Sequence, residues 1–338
     1  MSAPGAADRT EARRPTELTL VKAINAGLRA ALERDRTVLV MGEDVGRLGG
    51  VFRVTDGLQK DFGEDRVVDT PLAESGLIGT AIGLALRGYR PICEIQFDGF
   101  VYPAFDQIVS QLAKMPYRSR GALRLPVVIR IPYGGGIGAV EHHSESPEAY
   151  FAHTAGLRVV TCATPEDGYW MVQQAVESDD PVVVLEPKRR YWESAPVDVT
   201  AAPVPLHRAR VVRSGRLVTI VCYGPTVRTA LDAAAAAGAE GIGVEVVDLR
   251  SLSPLDVATV EEALRRTGRL VVVHEAPVFL GLGAELAARV TERCFHDLEA
   301  PVLRVGGFHL PYPPARMEDA YLPDLDRVLD AVDRVLAF

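Results

Sequence analysis

Short apolar runs rich in β-branched residues recur along this chain, and stretches of helical periodicity separate them. "TVLVM" (37–41), "PICEIQ" (91–96), "PVVIRIP" (126–132), "RVVT" (158–161) and "PVVVLEP" (181–187) read as strands, and helical patterns fit 19–34, 74–87, 103–115 and 165–178. Strands covered on both faces lose their polar alternation, so this order predicts an α/β fold: a mostly parallel sheet with helices on both faces. The proline-rich stretch "ESAPVDVTAAPVPLHRA" (193–209) has no periodicity and reads as a linker. Beyond it strands at 217–222, 244–249, 270–275 and 301–305 alternate with helices at 226–238, 256–266, 283–294 and 324–336. The expected division is a disordered arm over 1–16, an α/β domain over 17–192, the linker over 193–209 and a smaller α/β domain over 210–338.

A net charge of −8 argues against a nucleic-acid partner, because phosphate binders carry a basic excess. No apolar run is long and uniform enough to span a membrane. Cys93, Cys162, Cys222 and Cys294 are scattered without metal-ligand spacing, which fits reduced thiols in a cytoplasmic protein. The basic stretches "KMPYRSRG" (114–121) and "KRRYW" (188–192) read as solvated loop charge or as an interface with an acidic partner.

The glycine clusters "YGGGIG" (133–138) and "GLGAE" (281–285) do not give the dinucleotide-binding G-x-G-x-x-G in frame, and no phosphate loop or G-x-S-x-G elbow is present. Three polar constellations remain. In "GEDVG" (42–46), Glu43 and Asp44 follow a strand, where they either cap a turn or face a ligand. Glu74 heads twelve uncharged residues that read as buried helix. The helix dipole tolerates a carboxylate there, but apolar surroundings with Gly76, Gly79 and Gly83 leave room for a ligand or another backbone. In "EHHSESPEAYFAH" (141–153), adjacent His142 and His143 fit acid–base or substrate-orienting roles better than one zinc ion.

Several ordered stretches together carry a resemblance: "GEDVGRLGGVFRVTDGL" (42–58), "RVVDTPLAESGLIGTAIG" (66–83), "EIQFDGFVYPAFDQIV" (94–109), "EHHSESPEAYFAH" (141–153), "DLRSLSPLD" (248–256), "VVVHEAP" (271–277) and "GAELAARV" (283–290). From about residue 17 onward the chain resembles the β subunits of the thiamine-diphosphate-dependent 2-oxo acid dehydrogenases. The resemblance implies a transketolase-type pyrimidine-binding domain followed by a smaller C-terminal domain. It also implies a cofactor shared with an α subunit in a tetramer of two α and two β chains. In that family the diphosphate and Mg²⁺ are held through a G-D-G motif, which this sequence lacks, so the chain is expected to carry half a site and to be inactive alone. A structural K⁺ is a further expectation, and no metal ligand is assigned to this chain.

By the same resemblance, Glu74 matches the carboxylate that shares a proton with N1′ of the aminopyrimidine, and Phe100 the aromatic packed on that ring, with Gln96 and Tyr102 as neighbours. Glu43 matches an acid of the polar tunnel between cofactor sites. His143 matches the histidine facing substrate and assisting acyl transfer to a lipoyl group, and His142 lies on the same side. Glu145 stands where some members have glutamine, and would stabilise a protonated His143. The stretch 134–149 and the C-terminal tail look more like branched-chain than pyruvate members. The family implies a second partner, a lipoyl-bearing acyltransferase core whose subunit-binding domain docks on the C-terminal domains. The acids Asp324, Asp326 and Asp330 either meet that domain or form a solvated helix face. A self-contained transketolase-like enzyme and a non-catalytic scaffold are the competing readings.

Overall fold

A computed structural model describes residues 15–338; residues 1–14 of the expected arm lie outside the described residues. The strands are β1 (Thr16–Thr19), β2 (Val38–Gly42), β3 (Val67–Asp69), β4 (Arg90–Glu94), β5 (Val128–Tyr133), β6 (Arg158–Thr161) and β7 (Val182–Pro187). They continue with β8 (Ser194–Val197), β9 (Arg210–Arg213), β10 (Val218–Cys222), β11 (Val244–Asp248), β12 (Ser251–Ser253), β13 (Leu270–Pro277) and β14 (Leu303–Gly307). A seven-stranded sheet has the order β12-β6-β7-β5-β4-β2-β3, and a five-stranded sheet the order β14-β13-β10-β11-β9. Both are parallel except at one edge, where β12 and β9 run antiparallel to their neighbours.

Helices cover both faces of each sheet, as the unbroken apolar strands require. Helix Leu20–Arg34 buries Leu20, Ile24, Leu28 and Leu32 at four-residue spacing, and Thr19 accepts a bond from the Lys22 amide at its start. Each such side chain contributes about 1.5–3 kcal/mol of burial. Between the sheets, one continuous core runs from Ile78, Ile95 and Ile129 to Val221, Val247 and Leu286. An apolar seam of this kind holds two layers in one arrangement.

Three local expectations change. Thr16, placed in the arm, opens β1, and β1 pairs with β8 inside the expected linker. Proline-rich sequence tolerates such an edge pair, because Pro196 needs no amide partner on the open side. The periodicity at 103–115 does not give one helix: a 3₁₀ segment Asp98–Ala104 and a π segment Gln107–Leu112 precede a short helix Met115–Arg118. Pro103 lacks an amide and crowds the preceding turn, which stops a regular helix. Finally, Ser251–Ser253 leaves the second half of the chain to become the edge strand of the first sheet.

The glycine-rich loop after β5 binds carboxylates from the second half of the chain. Gly135 donates its amide to Glu275, while Gly136 and Gly138 donate to Glu318 at 2.7 and 2.9 Å. A Cβ on Gly135 would overlap the Tyr312 hydroxyl at 1.7 Å. The "KRRYW" stretch also turns inward. Lys188 is 1% exposed, Arg189 pairs with Glu275 at 3.0 Å, and Arg190 donates to the Pro225 carbonyl at 2.8 Å. The run leaves β7 directly into the seam, so its charges meet partners there instead of water.

Across the same seam Tyr223 donates to Glu148 at 2.8 Å. Burial lifts the Glu148 carboxyl to about 7, against its own backbone amide bond and the Tyr223 hydroxyl. A raised folded-state value means this group's stabilisation is complete below about 4.5 and is lost as pH rises through about 7. The loss is on the order of 3 kcal/mol. Glu148→Gln, which mimics the protonated form, is expected to remove that component. Urea melts of both proteins between pH 5 and 8 check it, and their difference in stability should widen with pH.

Candidate active site

Strands β2 to β5 are parallel and in register, with Gly42 opposite both Asp69 and Glu94, and Glu94 opposite Arg130. Their carboxyl ends therefore line up, and the segments leaving them, 43–46, 70–74, 95–102 and 133–148, converge on one edge. Ligands of open parallel sheets gather at such an edge.

Glu74 opens helix Glu74–Leu86 and is 7% exposed. Ala73 before it offers no side-chain cap, so the carboxylate sits among the free amides of the first turn, where negative charge is favoured. Leu77, Ile78, Ala81, Ile82 and Ala85 form the buried face of this helix. Its other face, Ser75, Gly76, Thr80, Gly83 and Leu86, is exposed yet carries no charge. The run read as wholly buried is thus buried on one side only.

Glu43, just beyond β2, has its carboxyl raised above the ordinary value by burial, then by the negative charges of Asp44 and Glu74. Its Oε2 is buried without a hydrogen-bond partner. Beside it Gln96 Nε2 donates to Asp44 Oδ2 at 3.2 Å. A desolvated carboxylate oxygen facing a second carboxylate costs free energy, and a proton or donor brought to the pair relieves it. An unmatched acceptor beside further carboxylates fits the protonated edge of a basic nitrogen heterocycle.

The second half of the site is a loop gripped by residues 97–102. The His143 ring stacks on Phe97, centroids 4.0 Å apart and planes at 21°, and meets the half-buried Phe100 edge-on at 5.1 Å. Its Nδ1 donates to the His142 carbonyl at 2.9 Å, which leaves Nε2 free to accept a proton. Burial holds the imidazole below its ordinary value, and the positive charge of Lys188 adds to that. Gly99 lets the loop approach, since a Cβ there would lie 2.1 Å from the His142 oxygen.

His142 is exposed, its ring 4.2 Å from that of His143. Tyr102 donates to Glu145 at 2.7 Å, while Gln96 is held by Asp44, so these two residues share no partner. Tyr102 and Glu145 line a cavity of about 110 Å³ together with Tyr150, Glu275 and Tyr312. The expected stabilisation of a protonated His143 by Glu145 is not found: Tyr102 engages that carboxylate, and the imidazole shifts the other way.

Sequence reasoning missed Phe97, Asp98 and Lys188, and also the charges beneath the site. Arg130, 0% exposed, bonds Glu94 at 2.6 Å and Glu186 at 2.7 and 2.8 Å, and Tyr191 donates to Glu186 at 2.7 Å. The signal was a lone charge inside each of three apolar strands.

Cys93, Cys162, Cys222 and Cys294 are free and buried, and no described helix is long and apolar enough to cross a membrane. The family of transketolase pyrimidine-binding domains matches residues 16–193, and that of transketolase C-terminal domains residues 207–328. The chain is 62% identical to a pyruvate dehydrogenase E1 component subunit beta of Leifsonia xyli, covering 96% of each chain. It is 57% identical to a 3-methyl-2-oxobutanoate dehydrogenase subunit beta of Mycobacterium tuberculosis, covering 94% of this chain and 92% of the relative. Among solved structures, an inactive beta4 tetramer of a split-gene transketolase superposes with a TM-score of 0.79 at 25% identity, covering 95% of this chain and 98% of the other. The chain belongs to the family of 2-oxo acid dehydrogenase E1 β subunits, built on the transketolase fold.

Proposed function

We propose that this chain is the β half of a heterotetrameric 2-oxo acid dehydrogenase that uses thiamine diphosphate and passes the acyl group of branched-chain 2-oxo acids to a lipoyl acceptor. The observation that carries the reading is the buried Glu74 at the head of a helix whose exposed face is uncharged, with the half-buried Glu43 feeling its charge and keeping one buried oxygen without a partner. Such a face suits contact with another chain. Glu74 would hold a proton against N1′ of the aminopyrimidine, Phe100 would pack on that ring, and Gln96 would orient the Asp44 side of the cleft. When bound, thiamine diphosphate supplies the electron sink for decarboxylation. His143, with Nε2 free, would give or take a proton on the substrate and lipoyl side. His142 would border the same path.

The chain has no G-D-G motif, so the reading assigns the diphosphate and Mg²⁺ to the α chain. Docking of the acyltransferase core on the C-terminal domain is part of the same reading. Of the tail acids, Asp324 caps helix Leu325–Leu336 through the Arg327 amide at 2.8 Å, and Asp330 faces Arg334.

The branched-chain assignment rests on the loop 134–149, the C-terminal tail and the mycobacterial relative. Pyruvate is the second reading, favoured by the Leifsonia relative. The test is turnover by the chain assembled with its α partner. A higher kcat/KM for 3-methyl-2-oxobutanoate than for pyruvate is expected, and equal or better use of pyruvate overturns the substrate assignment.

A further inference from the structure

We propose that Asp98 and Lys188 form a buried positioning pair that holds the His143 loop in its reactive geometry. The inference rests on the reading of His143 as an active-site imidazole. Both residues are 1% exposed, and Lys188 Nζ bonds Asp98 Oδ1 directly. Lys188 also lies 3.4 Å from the Pro132 carbonyl, which fixes it to the end of β5. The second oxygen, Asp98 Oδ2, accepts the Glu145 amide at 2.9 Å. Asp98 thus ties the His143 loop, two residues past the imidazole, to a cation anchored on the sheet.

The same short segment grips the loop on its other side. Phe97 and Phe100 bracket the imidazole, and Gly99 receives the His142 carbonyl to which Nδ1 is bonded. Glu145 completes the clamp, because its own carbonyl accepts the Gly134 amide at 2.9 Å. The aromatic contacts with residues 97 and 100 and the Asp98 bond to residue 145 thus hold the ring from one short segment, beside the local bond to the His142 carbonyl. A pair buried this deeply is costly to break from one side, since the remaining charge is left without a partner. Its place beside the loop is explained by the geometry it imposes. Lys188 has a second effect on the ring: its charge, with that of His142, opposes protonation of His143, while Glu141 favours it.

The test uses the assembled α/β tetramer and two assays: decarboxylation read with ferricyanide, and reductive acylation of a lipoyl domain. Asp98→Asn keeps an acceptor for the Glu145 amide, and Asp98→Asn with Lys188→Met removes both charges so that neither is stranded. The double variant is expected to lower lipoyl-linked turnover about 10- to 100-fold, as a small misplacement of a reacting group does. That loss should exceed the ferricyanide loss at least tenfold, and the pH limb set by neutral His143 should move up once the Lys188 charge is gone. In a His143→Ala background the same double change should then cost nothing further. If the double variant loses both assays in parallel, or its loss adds fully to that of His143→Ala, the pair is structural and the proposal is overturned. Full lipoyl-linked turnover in the double variant, with His143→Ala crippled, overturns it too. If His143→Ala alone leaves both assays intact, the reading of His143 fails instead.

Discussion

Glu74→Ala in the assembled tetramer is expected to lower decarboxylation by about 10²–10⁴-fold, the usual loss when a positioned acid–base group is removed. Glu74 contributes little to its helix, because a carboxylate in an uncapped first turn is worth about 0.3–1 kcal/mol. The inner face formed by Leu77, Ile78, Ala81, Ile82 and Ala85 holds that helix in place without it. Thermal melting should therefore change by a few degrees at most while turnover collapses. Glu74→Gln separates charge from shape, and a variant that stays slow shows that the carboxylate itself is required. Removing Glu74 also removes one of the negative charges that raise the Glu43 carboxyl, so Glu43 should titrate closer to its ordinary value. Undiminished decarboxylation by Glu74→Ala would end the catalytic reading of this edge.

The second large effect falls on stability. Arg130→Met should destabilise the chain by about 3–5 kcal/mol, because it strands Glu94 and Glu186 in the interior without their shared cation. Burial already raises the Glu94 carboxyl against the attraction of Arg130, and Glu186 adds to the rise. The three residues meet because of strand register. Glu94 lies opposite Arg130, and Glu186 opposite Pro132, two residues along and on the same face of the sheet. Urea unfolding should show the midpoint fall for Arg130→Met, with much of it recovered by Glu94→Gln and Glu186→Gln on the same chain. Apolar replacement of whole buried ion clusters is often tolerated where single removal is not. A midpoint unmoved by Arg130→Met would mean that water or a relaxed backbone solvates the carboxylates.

The strands and most helices were legible because apolar runs and 3.6-residue periods state their own burial. β2, β5, β7, β10 and β13 fall where their β-branched runs lie. What the pattern hid were features made by pairing across distance. β1 and β8 stabilise each other although neither has a strong pattern, and β12 joins a sheet whose other strands all lie far earlier in the chain, none later than Pro187. The charges were hidden for the same reason. Lys188, inside a run of three cations, read as solvated loop charge or an interface with an acidic partner, yet its neighbours Asp98 and Pro132 come from other strands and loops. Glu145 was expected beside His143 from the family resemblance, but the loop turns its carboxylate to Tyr102. Glu43 and Glu74 were each picked out from local context, and the fold brings them near enough for the Glu74 charge to help raise the Glu43 carboxyl.

The central claim is that this chain supplies one half of a thiamine diphosphate site. The most direct measurement is cofactor binding by calorimetry, with decarboxylation of a 2-oxo acid, for the chain alone, its α partner alone and the two combined. The account predicts no turnover from either chain alone, and saturable cofactor binding with turnover only from the mixture, the turnover falling about 10²–10⁴-fold with Glu74→Ala. Decarboxylation by the isolated chain at the rate of the mixture would contradict it.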